Sequence, residues 1–151
     1  MQLTEHFTLE EFTHSDVALR LGIKNEPNIL TISNLIETAK LMEAVRHLLG
    51  DRPINVHSAY RCPELNKRIG GSATSVHPLG LACDFDCAEF GTPVVIAQTI
   101  HDSIKQLPLF DQCILEYGWV HMGLAYPGTV QRAMFLTKKS AAAPYLQGIV
   151  A

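Results

Sequence analysis

An α+β domain, with helices packed on an antiparallel sheet, is predicted from three observations. Helical periodicity is concentrated in the first half of the chain, and short alternating segments cluster in the second. The gaps between those segments are too irregular for repeated βαβ winding, the main competitor. Thr8-Leu9-Glu10-Glu11 is a capping box, T-x-x-E, so a short helix starts at Leu9. A loop follows, with turn residues at Ser15-Asp16 and at Asn25-Glu26-Pro27-Asn28. Thr31 can cap a long helix over 32–49, whose apolar positions Ile32, Leu35, Ile36, Ala39, Met42, Val45 and Leu49 follow the 3.6 period until Gly50 stops it.

Ile54 to Ser58 alternates as a strand does, and Cys62-Pro63 to Ile69 suits a short helix with proline in its first turn and Gly70-Gly71 after its end. Leu81 to Asp86 reads as a second strand. Thr92-Pro93 opens a helix running to about Gln106, where cap and proline agree. Gln112 to Tyr117 and Trp119 to Gly123 form two close strands broken at Gly118, and Ala133 to Thr137 adds one more. The tail, 138–151, lacks periodicity and is expected to pack loosely on a single domain whose core spans about 5–137.

Composition narrows the function classes. The 151 residues suffice for one self-supporting core, and 47% hydrophobic with 18% charged residues is ordinary for a globular chain. A net charge of -3 supplies no positive field for nucleic acid or an anionic membrane. No apolar run reaches the ~20 residues that span a bilayer, and the first residues carry neither a basic nor an apolar leader region. A monomer made in the cytoplasm is expected. Cys83 and Cys87 form a C-x3-C pair that suggests structural zinc, but Cys62 and Cys113 stand alone and supply no second pair, so all four are expected as reduced, partly buried thiols.

The chemistry concentrates between Val56 and Asp86. Ser75-Val76-His77-Pro78-Leu79-Gly80-Leu81-Ala82-Cys83-Asp84 sets a histidine on a loop, a glycine at a turn, then a carboxylate inside an apolar strand. An isolated aspartate there is costly to bury unless a cation pairs with it. Trp119-Val120-His121-Met122 puts a second histidine in another apolar strand. Two histidines and one carboxylate make a three-ligand set with an open position, the pattern of catalytic zinc. Plainer readings stand beside this one: a hydrogen-bonded core histidine, or an Asp84 that caps a turn or pairs with Arg61. His6, His14, His47 and His101 sit in polar, helical or terminal contexts and are read as having no functional part.

Ser75-x-His77-x-x-Gly80-x-Ala82-x-Asp84 followed by Trp119-Val120-His121 resembles the zinc D-alanyl-D-alanine carboxypeptidase family, which includes vancomycin-resistance D,D-dipeptidases and phage endolysins. Ser58-x-Tyr60-Arg61-x-Pro63-x-x-Asn66, Gly70-Gly71 and the N-terminal Phe7 to Phe12 with Ser15-Asp16 look like it too, so the resemblance covers about residues 5–137. It implies a hedgehog/DD-peptidase-like fold and Zn2+ on His77, Asp84 and His121. It also implies a catalytic Arg61 that binds the substrate carbonyl, and a substrate-contacting Ser75. Peptidoglycan stem or cross-link peptides are the implied substrate, reached as a small phage-type lysis enzyme released by a holin. Much of the family carries Glu-x-x-His before its last ligand; here Gly118 stands in that place. Glu116 is the nearest glutamate, and a bulge at Gly118 is expected to bring it in as general acid and base. Asp86 shares a strand face with Asp84 and either supports the site or is solvated.

Two other classes compete. A non-haem iron oxygenase uses the same three residue types, but commonly with His-x-Asp spacing on a many-stranded barrel. The departure at Gly118 favours an inactive metal-binding relative that serves as a phage structural or wall-binding module.

Overall fold

The structure, a computed structural model describing residues 1–151, places five helices and six strands in the order α1 (Leu9–Thr13), α2 (Asp16–Leu21), α3 (Ile29–Leu48), β1 (Asn55–Ser58), α4 (Pro63–Arg68), β2 (Ala82–Asp86), α5 (Pro93–Asp102), β3 (Gln112–Leu115), β4 (Val120–Gly123), β5 (Met134–Lys138) and β6 (Tyr145–Gln147). The six strands form one sheet in the order β1-β2-β4-β3-β5-β6. Every neighbouring pair is antiparallel except β3 with β5, which run parallel. The α+β architecture is the one the sequence predicts.

Differences from the sequence reading have local causes. The Thr8 hydroxyl accepts the Glu11 amide and the Glu11 side chain accepts the Thr8 amide, the capping box as read. Ser15-Asp16, read as a turn, instead begins α2, because the Ser15 hydroxyl accepts the Ala18 amide and Gly22 closes the helix in the left-handed region. Helix α3 starts one turn earlier than predicted, capped by Asn28 at the Thr31 amide. The tail is a correction. Residues 145–147 pair with β5, the Gly148 amide donates to the Phe135 carbonyl, and the Val150 amide donates to the Thr137 hydroxyl. Backbone pairing on a sheet edge needs no hydrophobic period, so periodicity could not reveal it.

The pleat divides the sheet between two tasks. Cys83, Phe85, Leu115, Val120 and Met122 point to one face and meet α3 and α5 through Leu35, Ala39, Met42, Val45, Ile96 and Ile100, all of them buried. Each such side chain removed from water contributes roughly 1.5–3 kcal/mol, so this face supplies most of the stability. Cys83, Cys87 and Cys113 are free thiols inside it and Cys62 is half-buried, as expected. The opposite face, bearing Asp84, Trp119, His121 and Ile114, has no helix across it.

The parallel strand is anchored by an ion pair. Arg132 Nε and Nη2 donate to the two carboxylate oxygens of Asp111 at 2.8 Å each, and the Arg132 amide reaches Oδ1 at 3.1 Å. This fork fixes the entry to β5 beside the start of β3, where Met134 N donates to the Asp111 carbonyl. The Arg132 bonds hold the Asp111 carboxyl below its usual range, with burial opposing. A depressed carboxyl stabilises the fold above its unfolded-state pKa of about 3.9, and that contribution is lost as pH falls through the lower folded value. Asp111→Asn is therefore expected to cost about 1 kcal/mol at pH 7 in urea denaturation, solvent around Arg132 screening the pair. The gap from the parent chain should narrow as the pH drops below about 4; a pH-independent gap would assign the loss to packing instead.

Candidate metal centre

Three separate segments bring the predicted ligands together. His77 opens a single 3-10 turn, His77–Leu79, while Asp84 sits in the middle of β2 and His121 faces it directly from β4 in the strand register. Asp84 Oδ2 lies 3.2 Å from His77 Nε2, and Asp84 Oδ1 lies 2.7 Å from His121 Nδ1. One ligand atom from each residue falls within 4.8 Å of the others, and all three residues are buried. His77 Nδ1 donates to the Ala59 carbonyl at 2.6 Å, which fixes the tautomer and leaves Nε2 as the lone-pair donor toward the site. Burial lowers the His77 pKa despite the pull of Asp84, so the ring is neutral, as a metal ligand must be. Burial alone would raise Asp84; the facing histidines hold it well below its usual range, and it stays an anion. Two imidazoles and a carboxylate converging on one point suit zinc in ligand type and number.

The turn that carries His77 is held from behind. Gly80 adopts φ +71°, and its carbonyl accepts the Thr38 hydroxyl of α3 at 2.8 Å. A Cβ at this position would stand 2.9 Å from both the Thr31 carbonyl oxygen and Leu35 Cγ. Helix α3 therefore serves as the rigid seat of the first ligand. Gly80→Ala is expected to cost about 2–4 kcal/mol, from the left-handed conformation plus the overlap, and to weaken zinc binding as His77 shifts. Urea denaturation and zinc titration would show the two effects together; unchanged stability would mean the turn relaxes freely.

Arg61 follows β1 and enters the site from the side. Its Nη1 is 3.7 Å from Asp84 Oδ2 and 3.4 Å from Ser58 Oγ, and its Nε donates to Asn66 Oδ1 at 3.2 Å. Asn66 also donates to the Ser72 carbonyl at 3.0 Å, and a Cβ on Gly71 would lie 2.1 Å from its Oδ1. This explains the joint presence of Asn66 and Gly70-Gly71: the glycine clears space for the amide that aims Arg61. The guanidinium remains charged although burial works against it, with Asp84 and Glu116 opposing. Ser75 Oγ accepts the His77 amide at 3.2 Å, so this residue supports the ligand turn as well as lining the cleft.

Glu116 reaches the same face by a route other than the one expected. Instead of a bulge, Tyr117-Gly118 is a two-residue turn, and the Glu116 amide donates to the Trp119 carbonyl at 3.0 Å. Glu116 thus stands opposite Trp119, and Trp119 shares its face with His121 two residues on. The hairpin therefore sets Glu116 on the cleft face that carries His121. Burial pushes the Glu116 carboxyl up, partly offset by His121, and no hydrogen bond satisfies its side chain within the protein.

Sequence reasoning missed His57. The β1–β2 register shifts between Val56 and Ser58, so His57 is the extra residue of a bulge and turns toward the cleft with Ser58. Its Nε2 bonds Asp86, which also accepts from Asn55 Nδ2 at 3.0 Å; Asp86 is therefore a paired residue beside the site. Simple alternation gives no sign of a bulge, so no sequence signal marked this pair. His6, His47 and His101 form surface pairs with Glu43, Asp51 and Asp102, while His14 pairs with Asp16 at the rim of the cleft.

His57, Arg61, Ser75, His77, Asp84, Glu116 and His121 line one open cleft of about 1110 Å3. Pockets for small ligands are typically ~300–1,000 Å3, so this one has room for an extended peptide. A model of the peptidase M15 family matches residues 5–122. The zinc D-Ala-D-Ala carboxypeptidase of Streptomyces albus G is 34% identical over 59 residues, which is 39% of this chain and 23% of that relative. The aligned stretch thus spans about a quarter of the relative's length.

Proposed function

This chain belongs to the peptidase M15 family, and from that premise we propose that it is a zinc-dependent peptidase acting on peptidoglycan stem or cross-link peptides. The observation that carries the reading is the convergence of His77, Asp84 and His121 within 4.8 Å in a cleft that also holds Glu116 and Arg61. The resemblance to carboxypeptidases and phage endolysins supports either D,D-carboxypeptidase or L-alanyl-D-glutamate endopeptidase action. A monomer made in the cytoplasm and released to the wall by a holin fits that resemblance.

Zinc, when bound, supplies Lewis acidity and draws the pKa of a coordinated water toward ~7. The protein's own residues do the rest. Glu116, whose carboxyl burial pushes up, takes the proton of the attacking water and passes it to the leaving amine. Arg61, aimed by Asn66 and Ser58, holds the scissile carbonyl oxygen and stabilises the charge that develops there. Ser75 and the Gly70-Gly71 stretch border the substrate on the Arg61 side.

The test is digestion of purified peptidoglycan, with fragments identified by mass spectrometry. New peptide ends that vanish with chelator and return with zinc are expected. A zinc-loaded protein that releases no peptide ends would leave a metal-binding, wall-binding module as the reading.

A further inference from the structure

The family match ends at residue 122, yet one wall of the cleft is built from residues beyond it. Strands β5 and β6 extend the bare face of the sheet past β3, with Leu136 beside Ile114 and Lys138 paired to Tyr145. Lys138 and Tyr145 share the face of Leu136 and Gln147, and all four line the cleft with Ile114 and Glu116. The Lys138 ammonium sits 4.3 Å from the centre of the Tyr145 ring and donates to the Ala143 carbonyl at 3.1 Å. These contacts fix its position without neutralising it, for it makes no salt bridge. A half-buried lysine lays its methylenes on apolar surface and keeps its ammonium free for a ligand. Here its surroundings are an apolar floor, a phenol and open cleft. Glu116 is the acid whose charge interacts with it, and that carboxylate is assigned to the water.

We propose that the β5–β6 wall is a specificity subsite for a substrate carboxylate, bound by the Lys138 ammonium that the Tyr145 ring and the Ala143 carbonyl hold in place. The substrate class is a peptide whose residue beside the scissile bond carries a free carboxylate in place of a carboxamide. The inference rests on the peptidase reading for the identity of the peptide, and on the wall's own geometry for the preference.

The probes are two peptidoglycan stem peptides that differ only in carboxylate or carboxamide beside the scissile bond. The zinc-loaded Glu116→Gln protein, which holds substrate without turnover, should bind the carboxylate form about 10- to 100-fold tighter by calorimetry, as a charge-assisted contact implies. The parent chain should show the same preference in kcat/KM. Lys138→Met should bring the two peptides within about twofold of each other, Lys138→Arg should restore most of the preference, and Tyr145→Phe, which keeps the ring, should leave it in place. If Lys138 serves only the charge of Glu116, Lys138→Met will slow both peptides equally, and the subsite is overturned. Equal binding of the two peptides by the Glu116→Gln protein overturns it as well. Discrimination in binding by a chain that cleaves neither peptide would remove the peptidase reading and leave the subsite standing.

Discussion

Glu116→Gln is expected to hold zinc as tightly as the parent chain and to lose on the order of 10²–10⁴ in turnover. The substitution keeps size and shape, and Glu116 makes no side-chain hydrogen bond whose loss could disturb the hairpin. What it removes is a carboxylate that can accept a proton on the face shared with His121. Turnover of a purified stem peptide, measured beside zinc content, separates the possible outcomes. Full activity would strip Glu116 of its role as base. Loss of zinc along with activity would make it part of the metal's surroundings.

Asp84→Ala should act the other way, taking the metal and the activity together. Asp84 is the element that both histidines address, at 3.2 and 2.7 Å, and its anionic charge is the one the site offers a divalent cation. Losing a partner outside the ligand set typically costs about 10–100-fold in metal affinity, so losing a ligand should exceed that range. The fold should survive, because Asp84 points away from the face where Phe85, Val120 and Met122 meet the helices. Zinc titration with circular dichroism as the control would check this. A variant that binds zinc normally would displace Asp84 from the ligand set.

Much of the site was legible because its residues are uncomfortable anywhere else. Asp84 and His121 lie in apolar strands where each alone would be costly to bury, and their shared register on β2 and β4 brings them together. Asn66 and Gly71 looked like motif companions, and the structure gives them one task, since one makes room for the other to orient Arg61. What escaped notice depends on pairing between distant segments. His57 faces the cleft through a bulge that exists only relative to β2. Glu116 reaches the cleft by a different route from the expected one: a tight turn, with no bulge, puts it across from Trp119. Lys138 and Tyr145 lay in a tail with no periodicity, since an edge strand is held by its backbone. Ser15 reads as a turn residue because the residues that start turns also start helices, and only the Ala18 amide it accepts decides between them.

The two-sided sheet has a further consequence for how such a chain can change over generations. Along β2 and β4 the residues alternate between those that keep the protein folded, Cys83 and Phe85 or Val120 and Met122, and those on the cleft face, Asp84 and His121. Immediate neighbours therefore answer to different selective pressures, one to abundance in the cell and the other to catalysis. A lineage can rewrite the trough, and with it what the cleft accepts, while every second position stays fixed by packing.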